Sequence, residues 1–214
     1  MLFSIGISSI ACKDQNDTNS QTIENIDSET AEKDGTDKTP TNATGEGFDI
    51  NTIKISEEEL GDFPYLKLPN GYLYADPDHS QNGNGKGLTV NLDKEYFLDN
   101  GIYIPIEGKT FKGHINLDRN LKDKAFAPLE LKKSFDDWIT KMGGVKINNG
   151  KGYTSGEKDR IKKLDPQAEP NGYLNSSQYY DNISTYVIRK ADYNVWIQFN
   201  LGDETGYITV LKTN

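Results

Sequence analysis

Glu95-Tyr96-Phe97-Leu98-Asp99-Asn100-Gly101-Ile102-Tyr103-Ile104-Pro105-Ile106 is the stretch that decides the fold. Two apolar, β-prone runs flank an Asn-Gly pair, whose residues accept the positive φ angles that a tight hairpin turn requires. The stretch therefore reads as an antiparallel hairpin. Pro105 cannot donate to a ladder, which places it on an edge or at a bulge. Beyond it, Glu107-Gly108-Lys109 reads as a second turn, and Thr110 to Leu117 alternates into a further strand.

A helix follows in the middle of the chain. Pro128 suits a first helical turn, and Leu131, Phe135, Trp138, Ile139 and Met142 recur at helical spacing to form one apolar stripe. Gly143-Gly144 ends it, so the expected span is 128–142, with Trp138 at the centre of the stripe and in the core. Trp196 is assigned to the core on the same grounds. Lys132, Lys133, Asp136, Asp137 and Lys141 fall on the wet face. Val145-Lys146-Ile147 reads as a short strand, Glu157 to Leu164 as a weaker helix stopped by Pro166, and Asp165 to Asp181 as a loop rich in turn residues.

The C-terminus returns to β signals. Thr185 to Arg189, Val195 to Phe199 and Tyr207 to Leu211 are apolar β-prone runs separated by turn residues, the pattern of an antiparallel meander. The fold class is α+β: an antiparallel sheet from two groups of strands, packed on one main amphipathic helix and a weaker second helix.

Composition divides the chain into three parts. Residues 1–12 are an apolar run ending in Ser9-Ile10-Ala11-Cys12, the chain's one cysteine. Small residues before a cysteine mark the end of a lipoprotein signal, although the positively charged start is missing and Ser9 stands where leucine is usual. The expectation is a truncated signal whose Cys12 becomes the acylated first residue. Lys13 to Gly47 is polar almost throughout, with nine acids against three lysines, and so carries six of the nine net negative charges of the chain. Such a segment cannot bury enough apolar surface to offset its ordering entropy, so residues 13–55 read as a disordered acidic tether. Residues 56–214 then form a single domain.

The order of several motifs resembles the accessory region that precedes OmpA-like domains in bacterial envelope lipoproteins. These motifs are Asp62-Phe63-Pro64-Tyr65, the strand start Gly108-Lys109-Thr110-Phe111, the helix close Met142-Gly143-Gly144-Val145, and the run from Tyr186 to Gln198. In that family peptidoglycan binding belongs to the OmpA-like domain, whose helical Asp/Arg motif does not occur through Asn214. The resemblance implies a stand-alone accessory domain facing the periplasm or cell surface from an outer membrane.

No catalytic constellation emerges. His79 and His114 cannot be placed together and no Cys/His cluster exists, which supports neither a zinc site nor a histidine-based triad. Asp76 to Asn84 has oxygen ligands but lacks the glycine position and the bidentate glutamate of a calcium loop, and Gly83 to Gly87 lacks the spacing of a phosphate loop. Glu95, Asp99, Glu107, Asp136 and Asp137 are carboxylates from which no pair can be chosen without a spatial separation. No metal and no cofactor are expected. Tyr173, Tyr179 and Tyr180, in the Pro/Gly/Asn-rich loop, are the candidates for a surface that stacks on a glycan or an envelope protein. Nucleic acid is excluded as a partner by the absence of a basic excess. The expected function is a non-enzymatic binding or structural role at the membrane, and the alternative is a secreted hydrolase acting on cell-wall glycan through paired carboxylates.

Overall fold

The computed structural model describes residues 48–75, 87–118, 120–121, 124–166 and 182–214. They form an α+β fold in which seven antiparallel strands make one sheet and two helices pack on it. The strands are β1 (Tyr72–Ala75), β2 (Leu88–Asp99), β3 (Ile102–Leu117), β4 (Val145–Asn149), β5 (Ser184–Arg189), β6 (Asn194–Leu201) and β7 (Gly206–Lys212), and the helices are α1 (Pro128–Lys141) and α2 (Glu157–Leu164).

The Asn-Gly hairpin forms as its sequence requires. Asn100 has φ 47° and Gly101 φ 88°, and Asp99 pairs with Ile102 across the turn. Counting back from that turn makes Leu98–Tyr103 and Tyr96–Pro105 outward-facing pairs, so the missing N–H of Pro105 falls where no ladder bond is due. The second turn does not form. β3 runs straight through Glu107-Gly108-Lys109, because the glycine serves a close approach and not a bend: a Cβ at Gly108 would collide with the carbonyl of Lys212 on β7. Leu88 to Lys94, which carry no clear β pattern, extend the hairpin partner, with a register shift between Val90 and Asp93.

β3 is long enough to serve two neighbourhoods. Its second half pairs with β7 on one edge and with β1 and the start of β2 on the other, and the sheet continues through β6 and β5 to β4. Among the described residues its first half has β2 as its only strand partner, and it packs with β2 over the face of β5, β6 and β7. Strand alternation shows the consequence. Tyr186, Ile188, Val195, Ile197, Phe199, Ile208 and Val210 face α1, whereas Val187, Trp196 and Leu211 face Phe97 of the hairpin, with the Phe97 and Trp196 rings 5.6 Å apart. Both faces of the central strands are buried, which antiparallel sheets do not require. On the outer side of the hairpin, Tyr96, Leu98 and Tyr103 pack under Ile161 of α2.

α1 ends at Gly143-Gly144 in a Schellman motif. The Gly144 N–H bonds Ile139 O at 2.8 Å, the Gly143 N–H bonds Thr140 O at 3.0 Å, and Gly143 holds φ 76°. The buried residues of α1 are Leu131, Phe135 and Ile139, while Trp138 is only half-buried. At about 100° per residue Trp138 lies some 20° beyond Leu131, on the far side from Phe135 and Ile139. The stripe is therefore centred on Phe135, whose ring meets Phe199 at 5.1 Å, and Trp138 lies at its margin. Trp196, in contrast, is 4% exposed.

The start of the folded unit also differs from the compositional boundary at residue 55. Phe48 packs edge-on against Trp196 at 6.1 Å, Ile53 is buried, and Arg189 donates to the carbonyls of Asn51 and Ile53 at 2.9 and 3.0 Å. Ser56 donates to Met142 O at 2.8 Å, joining this strap to the end of α1. Three apolar residues, Phe48, Ile50 and Ile53, are enough to seat the strap because Arg189 satisfies its carbonyls.

Phe135→Ala should lower the unfolding free energy by about 3–5 kcal/mol and Trp138→Ala by no more than about 2 kcal/mol, as emptied and half-buried aromatic sites differ. Denaturant unfolding of the two variants measures the difference directly.

Candidate functional site

The residues singled out by sequence fall into three sets. Cys12, Tyr173, Tyr179, Tyr180, His79 and the Asp76 to Asn84 loop lie outside the described residues. His114 is buried in a side-chain network, stacked on Tyr207 at 4.5 Å and touching Thr205, which also donates to Ile115 O at 2.9 Å. The five carboxylates do not converge on one another. Glu107 and Asp137 are exposed, Asp99 sits on the hairpin turn, and Glu95 and Asp136 each belong to a separate charged cluster.

The first cluster lies at the bulged part of β2. Asp93 and Glu95 stand two residues apart and so share one face, and both meet the Lys112 ammonium of β3, Asp93 at 3.0 Å and Glu95 in direct contact. Glu95 is 5% exposed. Burial is the main influence on it and pushes its pKa up to about 7 against the pull of Lys112. Burial also works to raise Asp93, but its bonds to Lys112 and to the Lys94 N–H hold it below the usual carboxylate range. Burial would depress Lys112, and the two carboxylates overcome it and keep the ammonium above its ordinary value. Lys112 therefore bridges both carboxylates, and Glu95 is the one of the two that burial brings to titrate near neutrality. Among the described residues no group of three His, Cys, Asp or Glu side chains could hold a metal ion.

The second cluster joins α1 to β4 and β5. Asp136 accepts from Lys132 at 2.7 Å, from Lys146 at 3.5 Å, and from the Tyr186 hydroxyl. Burial would raise this carboxyl, yet the three donors hold it below the usual range. The Tyr186 hydroxyl is pushed well up, chiefly by burial and further by Asp136, so it remains a donor.

Beside this cluster lies an open hollow of about 220 Å³ between the start of α1, the strands β5 and β6, and Gly150 and Asn182 beyond the end of β4. Pro128, Leu129, Phe199 and Leu201 supply apolar walls, and Lys132, Asn182 and Ser184 supply polar groups. Leu129 is 77% exposed, so the mouth is greasy as well as the floor. Periodicity marks Leu131, Phe135 and Ile139 on α1 but gives no sign of this hollow, because it needs the start of α1 set against Ser184 and the Gly150–Asn182 closure of β4 and β5, where Asn182 N–H bonds Gly150 O at 3.0 Å. The Asp93–Glu95 alternation was the one signal available for the first cluster, and the lack of β pattern over Leu88 to Lys94 obscured it.

No protein-family model matches the chain, and no curated protein or solved structure matches it. No helix among the described residues is long and apolar enough to cross a membrane.

Glu95 binds its proton more tightly in the folded chain, pKa about 7, than in the unfolded chain, at the ordinary value of 4.5. As pH rises between these values the unfolded state releases the proton first, so stability falls, by up to about 3 kcal/mol. Melting temperatures measured from pH 5 to 8 should decline through this window for the wild type, and Glu95→Gln should remove most of that decline.

Proposed function

We propose that the chain is a lipid-anchored cell-envelope protein whose folded domain works by binding or structural support and not by catalysis. The address rests on Cys12, placed after Ser9-Ile10-Ala11 at the end of an apolar run and followed by a polar acidic segment that suits a tether. The resemblance to the accessory region of OmpA-associated lipoproteins points to the same compartment, an outer membrane with the domain facing the periplasm or cell surface. A glycan or another envelope protein is then the natural partner.

One observation carries the binding half of the proposal. The buried ionisable groups with perturbed protonation are bonded to partners within the fold, Glu95 to Lys112 and Asp136 to Lys132, Lys146 and Tyr186, while the open hollow beside α1 is mainly apolar. A lining of this kind holds a ligand. Paired carboxylates working as acid and base must both reach a substrate, so the alternative of a carboxylate-dependent hydrolase draws support only from Glu95 beside Asp93. At 5% exposure Glu95 is poorly placed for that work.

The anchor is tested by Cys12→Ser in a chain expressed behind a complete signal peptide. The wild type should partition with membranes and incorporate labelled palmitate, and the variant should do neither. Equal fractionation of the two contradicts the anchor.

A further inference from the structure

We propose that Lys112 and Asp93 become joined by an intramolecular isopeptide bond, with Glu95 relaying the protons between them. The bond ties β2 to β3 where the hairpin meets the main sheet, and it stands or falls apart from the binding reading above.

Strand register brings the three groups together. Val90 pairs with Thr110 and Asp93 with Gly108, so β2 carries one extra residue between these pairs. That bulge turns Asp93 and Glu95 onto the face that Phe97 occupies on their own strand and Thr110 and Lys112 occupy on β3. Counted from Val90 without it, Leu92 and Lys94 would take that face. The Lys112 Nζ then lies 3.0 Å from Asp93 Oδ2 and in direct contact with Glu95. Reacting groups held about 3–3.5 Å apart react as one molecule, without the entropy cost of an encounter.

The surroundings favour the uncharged forms that the reaction needs. The side chains of Glu95 and Lys112 are 7% and 15% exposed, and that of Asp93 is 32% exposed. Burial is the largest single influence on all three groups, pressing the lysine towards the amine and both carboxyls towards the acid. Mutual attraction restores the charges of Asp93 and Lys112, so the neutral pair is the minor form. Glu95, brought by burial to about 7, is matched to move protons between them.

The step balances without any co-reactant. Glu95 gives its proton to the Asp93 carboxylate and takes one from the Lys112 ammonium, leaving a carboxylic acid and a free amine. The Nζ lone pair attacks Asp93 Cγ, and the C–N bond forms as the carbon becomes tetrahedral. Glu95 then carries a proton from that nitrogen to one hydroxyl on Cγ, the C–O bond breaks, and water leaves on the more exposed Asp93 side. An ammonium and a carboxylate have become one amide and one water. Glu95 ends protonated as it began, and two charges that are costly to bury are gone.

Mass spectrometry of the purified full chain under denaturing conditions tests the bond. The wild type should be lighter than its sequence by one water, and trypsin should release residues 87–94 joined to residues 110–119, uncut after Lys112. Lys112→Arg and Asp93→Ala should show the full sequence mass. Glu95→Gln should form the bond at least about 100-fold more slowly. A wild type of full mass, or one that has lost water but yields no joined peptide, overturns the bond. A junction that maps to Glu95 overturns Asp93 as the acceptor, and a bond formed as fast in Glu95→Gln as in the wild type overturns the relay.

Discussion

A two-stranded hairpin packed over a sheet leaves two outer edges of backbone donors and acceptors, and on both edges here side chains from elsewhere in the fold bond the backbone near the turn. That constraint organises the molecule. On the β2 edge the buried Gln198 side chain takes the place of a neighbouring strand: its Oε1 accepts the Leu98 N–H at 2.7 Å, and its Nε2 lies 3.4 Å from Tyr96 O. Thr185 donates to the same Oε1 at 2.9 Å, which fixes the amide in this orientation. On the β3 edge the Tyr103 N–H donates to Glu157 at 2.9 Å and its carbonyl accepts from Arg160 at 3.1 Å. Each unsatisfied backbone group left in such a position would cost about 1–3 kcal/mol.

The rest of the architecture follows from these substitutes for strand pairing. Because Gln198 lies on the central strand β6, the hairpin can be buried only over the middle of the sheet, which covers the second face of β5, β6 and β7 and leaves α1 the first. Because Glu157 and Arg160 belong to α2, that helix is held against the outside of the hairpin by a bond to the backbone it covers. Arg160 keeps the Glu157 carboxyl below its ordinary range, so the pair stays ionised. Where β2 leaves the hairpin for the main sheet, its register shifts and Lys112 holds Asp93 and Glu95 together.

Much of this arrangement was legible in local sequence. Asn100-Gly101, the Leu131–Phe135–Ile139 spacing, Gly143-Gly144 and the three C-terminal runs each obey short-range rules, and the strands and helices form where those rules put them. Gly108 was misread because a glycine that relieves a long-range collision looks the same in sequence as one that makes a turn. Trp138 was misplaced because a stripe of five apolar positions is wider than the face that contacts the sheet. The burial of both sheet faces was invisible: alternation in β5 and β6 is erased when Val187 and Trp196 are as apolar as Tyr186 and Ile197. The hollow beside α1 belongs to this same class of feature, since it depends on which elements meet.

Hydrogen exchange at single amides tests the edge-capping account most directly. Leu98 and Tyr103 N–H should be protected to the level of the central β6 amides, although each bonds to a side chain and not to the backbone of another strand. In Gln198→Leu, Leu98 should lose that protection while the amides of α1 keep theirs. Rapid exchange of Leu98 in the wild type, or unchanged protection in the variant, would contradict the claim that the Gln198 side chain holds the hairpin on the sheet.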